Sequence, residues 1–79
     1  MRPIHEIANE ISQDWKNPYF GAVPYINAMK EIITIDSYFH FDSAESIVLY
    51  FLCNAQTWRG ETARRIKLEL NTILKTLNK

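Results

Sequence analysis

Apolar positions recur at helical spacing in four stretches of this chain, and the densest of them is DSAESIVLYFLCNAQTW, Asp42 to Trp58. Ala44, Ile47, Val48, Phe51, Ala55 and Trp58 fall along one side of a helix, while Leu49, Tyr50, Leu52 and Cys53 fill much of the opposite face. A helix apolar on most of its circumference needs cover on more than one side, so the pattern predicts a central helix. Asp42 stands where it can cap the first backbone N–H groups, and Glu45 three residues on completes a capping-box spacing. Gly60 is the natural residue to close this helix; the alternative is a break between Asn54 and Thr57, with Thr57 capping the next one.

Ahead of it, Ile4, Ile7, Ala8, Ile11 and Trp15 predict a first helix from Pro3 to Lys16, which Asn17-Pro18 ends because the residue before proline is pushed out of helical geometry. Tyr19, Phe20 and Gly21 follow as an aromatic connection. A second helix is predicted from Pro24 to Ile33, with Tyr25, Ala28, Met29 and Ile32 buried and Ile26 and Ile33 widening that side. Thr34 to Phe41 carries no sustained period, and a single strand there has no sheet to join. It reads as an ordered loop whose Tyr38, Phe39 and Phe41 lean on the core. The last helix is predicted from Glu61 or Thr62 to Leu77, where Ala63, Ile66, Leu70, Ile73 and Leu77 alternate steps of three and four. Two heptads are too few for an independent coiled coil, so this stripe is expected to dock on the central helix. Together the elements predict an all-α, compact single-domain bundle of about four helices over residues 1–79, with Ile47, Val48, Phe51, Leu52, Ile66, Leu70 and Ile73 in its core.

Composition narrows the class. Seventy-nine residues make one domain near the lower size limit for a core without staples, so a homodimer through the last helix is open. The ten aromatic residues exclude a disordered chain. Cys53 is the one cysteine; it is expected to pack as a small hydrophobe, and it fits a reducing cytoplasm. The longest apolar run, Ile47 to Cys53, is too short to span a bilayer, and Glu6, Glu10 and Asp14 interrupt any signal-peptide pattern, so no membrane partner is expected. Net charge is zero but divided. Residues 1–58 hold three Lys and Arg against seven Asp and Glu, and residues 59–79 hold six against two. The halves therefore carry −4 and +4. Such a split is either a binding device or two surfaces that neutralise each other inside one fold.

No constellation carries catalysis. His40, Asp42 and Glu45 are too few for a zinc or hard-cation site, and Cys53 is expected to be buried away from both histidines. Gly21 and Gly60 do not make a phosphate-cradling loop, and no metal or cofactor is expected. Two surfaces remain. Arg59, Arg64, Arg65 and Lys67 form a basic cluster for nucleic acid or an anion, although a neutral chain argues against specific nucleic-acid binding. Glu6, Glu10 and Asp14 form an acidic stripe beside Tyr19 and Phe20, aromatic anchors of the kind common in protein interfaces.

PYINAM (Pro24 to Met29), the DSAESIVLYFL core and WRGETARRIKLEL (Trp58 to Leu70) resemble small uncharacterised proteins carried by phages and other mobile elements of bacteria. The resemblance covers most of the chain and carries over no functional residue. It implies a context in which tiny proteins, anti-CRISPR and other anti-defence inhibitors among them, bind and block a host protein. The expectation is a cytoplasmic, non-enzymatic protein-binding module that blocks a host defence or nucleic-acid-processing protein through the acidic and aromatic face. The alternative is a small DNA-binding regulator using Arg59 to Lys67.

Overall fold

Four helices form where the apolar periods lie: α1 (Ile4–Asp14), α2 (Val23–Met29), α3 (Ala44–Cys53) and α4 (Glu61–Lys75). The computed structural model describes residues 2–36, 38–39 and 42–77, with 38 and 39 by backbone alone. The helices close a ring, α1 against α2, α2 against α3, α3 against α4, and α4 back against α1. The radius of gyration, 11.4 Å, is what a single compact domain of this length adopts, about 12 Å. Every buried residue among the described ones is apolar. The expected all-α bundle is the fold.

α1 buries Ile4, Ile7, Ala8 and Ile11, and its first amide is capped from elsewhere: Ile4 N–H donates to the Ile33 carbonyl at 2.9 Å. α2 is shorter than expected. A 3₁₀ turn, Phe20–Ala22, leads into it, and it stops at Met29. Ile32 is buried beyond its end, but Ile33 is 61% exposed rather than widening the apolar side, because the chain has already left the helix.

The central helix departs from expectation at both ends. Asp42 is not its cap. Ser43 is, with its Oγ accepting the Ser46 N–H at 3.1 Å, so the Asp42–Glu45 capping box does not form. Asp42 and Ser43 instead make β2, which pairs antiparallel with β1 (Tyr38–Phe39) in a minimal hairpin. The strand within Thr34–Phe41 therefore has a partner, which lies inside the run read as helix. Phe41 and the side chains of Tyr38 and Phe39 lie outside the described residues, as does His40. At the far end α3 stops at Cys53, not at Gly60. Asn54 Nδ2 donates to the Tyr50 carbonyl at 2.8 Å, taking an acceptor at the helix end with a side chain that favours turns.

Ala55 and Trp58 are buried all the same. They reach the core from a tight turn, held by Trp58 N–H on the Ala55 carbonyl at 3.1 Å, rather than from a continuing helix. Gly60 then opens α4 instead of closing α3, at φ 114°, a backbone conformation that side-chain-bearing residues rarely adopt. Ala63, Ile66, Leu70, Ile73 and Leu74 of α4 are buried against both α1 and α3. The stripe is thus covered within the chain, and only Leu77 at its end is exposed. Among the described residues no helix is long and apolar enough to cross a membrane.

Candidate functional site

The acidic stripe of α1 is divided by what its members touch. Glu10 sits between two arginines: Arg65 donates a short hydrogen bond to its Oε2, and Arg2 Nη1 lies 2.8 Å from Oε1. That second contact is an ion pair without hydrogen-bond alignment, since Oε1 accepts no hydrogen bond among the described residues. Arg2 also grips Glu69 of α4 with both ends of its fork, Nε to Oε2 at 3.0 Å and Nη2 to Oε1 at 2.7 Å. Asp14 accepts the indole N–H of Trp58 at 2.8 Å. Glu6 is exposed and makes no ion pair among the described residues. Glu6, Glu10 and Asp14 therefore do not present one uncompensated field. The two charged halves meet inside the fold through Glu10 and Arg65.

This network sets an acid-side dependence. The Arg65 hydrogen bond, helped by Arg2 and opposed by burial, holds the Glu10 carboxyl below its ordinary value of 4.5. The Arg2 hydrogen bond does the same for Glu69, again against burial. A carboxyl whose folded value lies below its unfolded one adds stability that is complete above about pH 4.5 and is lost as pH falls through the folded value. Because these groups are partly solvated, the network is expected to contribute about 1–2 kcal/mol in all. Thermal melts of a Glu10→Gln, Glu69→Gln variant should be flatter than the parent's between pH 5 and pH 3. Parallel curves would show the network to be energetically idle.

The aromatic side stands out differently. Phe20 is 79% exposed and Tyr19 45%, with their rings 4.8 Å apart. Gly21 makes this placement possible: a Cβ there would meet Tyr19 Cε2 at 2.6 Å and Asn54 Oδ1 at 2.8 Å, so only glycine lets the ring lie so close to the backbone. Tyr19 in turn shares a hollow of about 280 Å³ with Cys53, Asn54, Gln56 and Thr57 at the end of α3.

From that hollow the surface continues along α3. Cys53 is exposed, not buried; one turn back are Tyr50 at 53% and Leu49 at 45%, and Tyr50 meets Tyr25 of α2 at 5.6 Å. The sequence places Cys53 inside, and the apolar circumference of the helix predicts cover over the face that carries Leu49 and Tyr50. Among the described residues α2 and α4 cover one side of α3, and these three side chains on the other side are exposed. The signal was present in the sequence: a helix apolar nearly all round demands more cover than three short partners supply. None of Tyr19, Phe20, Leu49, Tyr50, Asn54, Gln56 or Thr57 carries a charge at neutral pH.

The basic cluster also divides. Arg65 is bound to Glu10. Lys67 Nζ donates to the Trp58 carbonyl at 2.7 Å and stands 5.9 Å over the Trp58 ring. Arg59 and Arg64 are exposed and make no ion pair among the described residues. With Trp58, Gly60, Ala63 and Lys67 they line a hollow of about 330 Å³ at the start of α4.

The hollow at Cys53 has neither a histidine nor a carboxylate in its lining. Among the described residues no three His, Cys, Asp or Glu side chains gather to hold a metal ion, and a site built on His40 lies outside them. No family model, curated protein or solved structure matches the chain.

Proposed function

We propose that this chain is a non-enzymatic protein-binding module that occupies a surface on a macromolecular partner, with Tyr19, Phe20 and the outer face of α3 as the contact. The observation that carries the reading is the uncharged apolar strip running from Phe20 through Tyr19 and Cys53 to Tyr50 and Leu49, with Phe20 almost wholly in water. Monomeric proteins seldom leave large aromatic side chains grouped in this way unless something covers them in use. Tyrosine and phenylalanine are also the residue types that anchor interfaces, and burying a patch without charge desolvates no ion. Of the acidic stripe of α1, Glu6 remains available to steer a basic partner, while Glu10 and Asp14 are engaged within the fold.

The resemblance to mobile-element proteins favours a bacterial host protein of defence or nucleic-acid processing as that partner, met in the cytoplasm and blocked by occupation. Capture from a bacterial lysate tests the contact when three baits are compared. The parent should retain a defined partner, and Glu6→Lys should retain it less well at low salt. A Phe20→Glu, Tyr50→Glu variant that still melts like the parent should lose it by more than about tenfold, as hot-spot substitutions do. Equal retention by the doubly substituted bait would overturn the assignment of this face.

A further inference from the structure

We propose that the hollow at the start of α4 is an oxyanion site in which Arg59, Arg64 and Lys67 hold a phosphate-class group. The case begins with how the fold treats its other two arginines. Arg2 and Arg65 are each bridged to a carboxylate, through Glu10 and Glu69. Arg59, Arg64 and Lys67 instead line one depression whose remaining lining is Trp58, Gly60 and Ala63, without a single acid. Glu61, the nearest carboxylate along the chain, is exposed and does not line it. Three like charges on one concave surface repel one another, and an anion placed among them relieves all three repulsions together.

Local detail agrees. The Lys67 ammonium is held below the ordinary lysine range, by burial first and by Arg59 second, so it already feels a neighbouring cation. Its bond to the Trp58 carbonyl uses one of three N–H groups and leaves two for a ligand. The rim is open at Gly60, with nothing within 4 Å of where a Cβ would stand. The two arginines offer planar forks matched to the oxygens of a tetrahedral anion, which a chloride cannot engage in the same way. Trp58 is buried, so its ring is not offered for stacking on a base, and recognition would be of the phosphate group alone.

The test is an amide proton–nitrogen NMR titration of the whole chain with sodium phosphate, beside sodium chloride at matched ionic strength. Saturable shifts confined to about residues 58–67, half-complete at roughly 1–10 mM phosphate and absent with chloride, are expected for a small exposed anion site. An Arg59→Ala, Arg64→Ala variant should weaken the response about tenfold at an unchanged melting temperature, because both side chains are exposed. A parallel titration with a short DNA duplex distinguishes the source of the phosphate. Shifts of the same amides at micromolar duplex, weakening as salt rises, identify a nucleic-acid backbone. A silent duplex beside a saturating phosphate response identifies a free phosphate group. No saturable response to either, or an undiminished response in the double variant, overturns the site.

Discussion

Replacing Phe51 with alanine should remove a large fraction of the protein's stability, about 3–5 kcal/mol. Phe51 is completely buried, and its ring meets those of Trp15 at 6.4 Å and Trp58 at 6.2 Å, both edge-on. Truncating a core phenylalanine costs about 3–5 kcal/mol, part from lost transfer energy and part from the cavity left behind. A domain of this length commands only about 4–12 kcal/mol in total. The cavity would open where α1, α3 and the turn before α4 meet, and no neighbouring element is free to collapse into it. Urea denaturation should show a much lower midpoint at an unchanged slope, with a loss of about 4–8 °C in Tm for each kcal/mol. A variant that melts within a few degrees of the parent would show that the three-ring cluster is not the centre of the core.

Trp58→Ala should be nearly as damaging, for a different reason. Trp58 lies outside any helix, so its removal disturbs no helical propensity. What it loses is tertiary: a ring stacked on Trp15 at 5.6 Å and 11°, an edge contact with Phe51, and an indole N–H donated to Asp14. Those contacts tie the turn after α3 to the end of α1. The expected loss is about 3–5 kcal/mol for alanine. Trp58→Phe, which retains a ring but not the donor, should lose closer to 1 kcal/mol for the hydrogen bond, since exposed Asp14 can turn to water. Denaturation of the two variants side by side separates packing from hydrogen bonding. Similar losses for both would mean that the hydrogen bond, and not the stacked ring, holds the turn.

The sequence was most legible where one face of a helix does one task. α1 and α4 carry clean stripes, and both formed where the stripes lie, because a single buried face against a single wet one leaves little choice of register. α3 was harder. Ala55 and Trp58 continue its helical spacing and are buried, yet they reach the core through a turn; periodicity reports which residues are inside and not by which backbone path they arrive. The hairpin was invisible for a related reason, since two residues per strand give no alternation to read. The exposure of Leu49, Tyr50 and Cys53 turns on whether another element exists to cover them, a property of the whole assembly. The candidate surfaces were partly legible. Tyr19 and Phe20 are exposed where the aromatic run suggested a contact, whereas the pairing of Glu10 with Arg65 joins residues 55 apart, which local pattern cannot show. Gly21 seats the Tyr19 ring because Asn54, far along the chain, closes over it, a proximity that local pattern does not carry.

The ring of helices closes only when its first and last members meet, and this constrains how the chain can assemble. Arg2 reaches Glu69 across 67 positions, and Asp14 reaches Trp58 across 44. The buried side of α1 therefore stays incomplete until α4 exists, and a fragment stopped after Cys53 would lack Trp58, every buried residue of α4, and the Glu69 and Arg65 ends of the ionic network. Such a fragment is not a smaller version of the domain but a set of wet apolar faces. Closing a loop of roughly fifty residues costs chain entropy before those contacts repay it, so the joining of α1 to α4 is the slow part of assembly to expect. During synthesis the nascent chain would hold its aromatic residues open to other surfaces until the final helix has emerged.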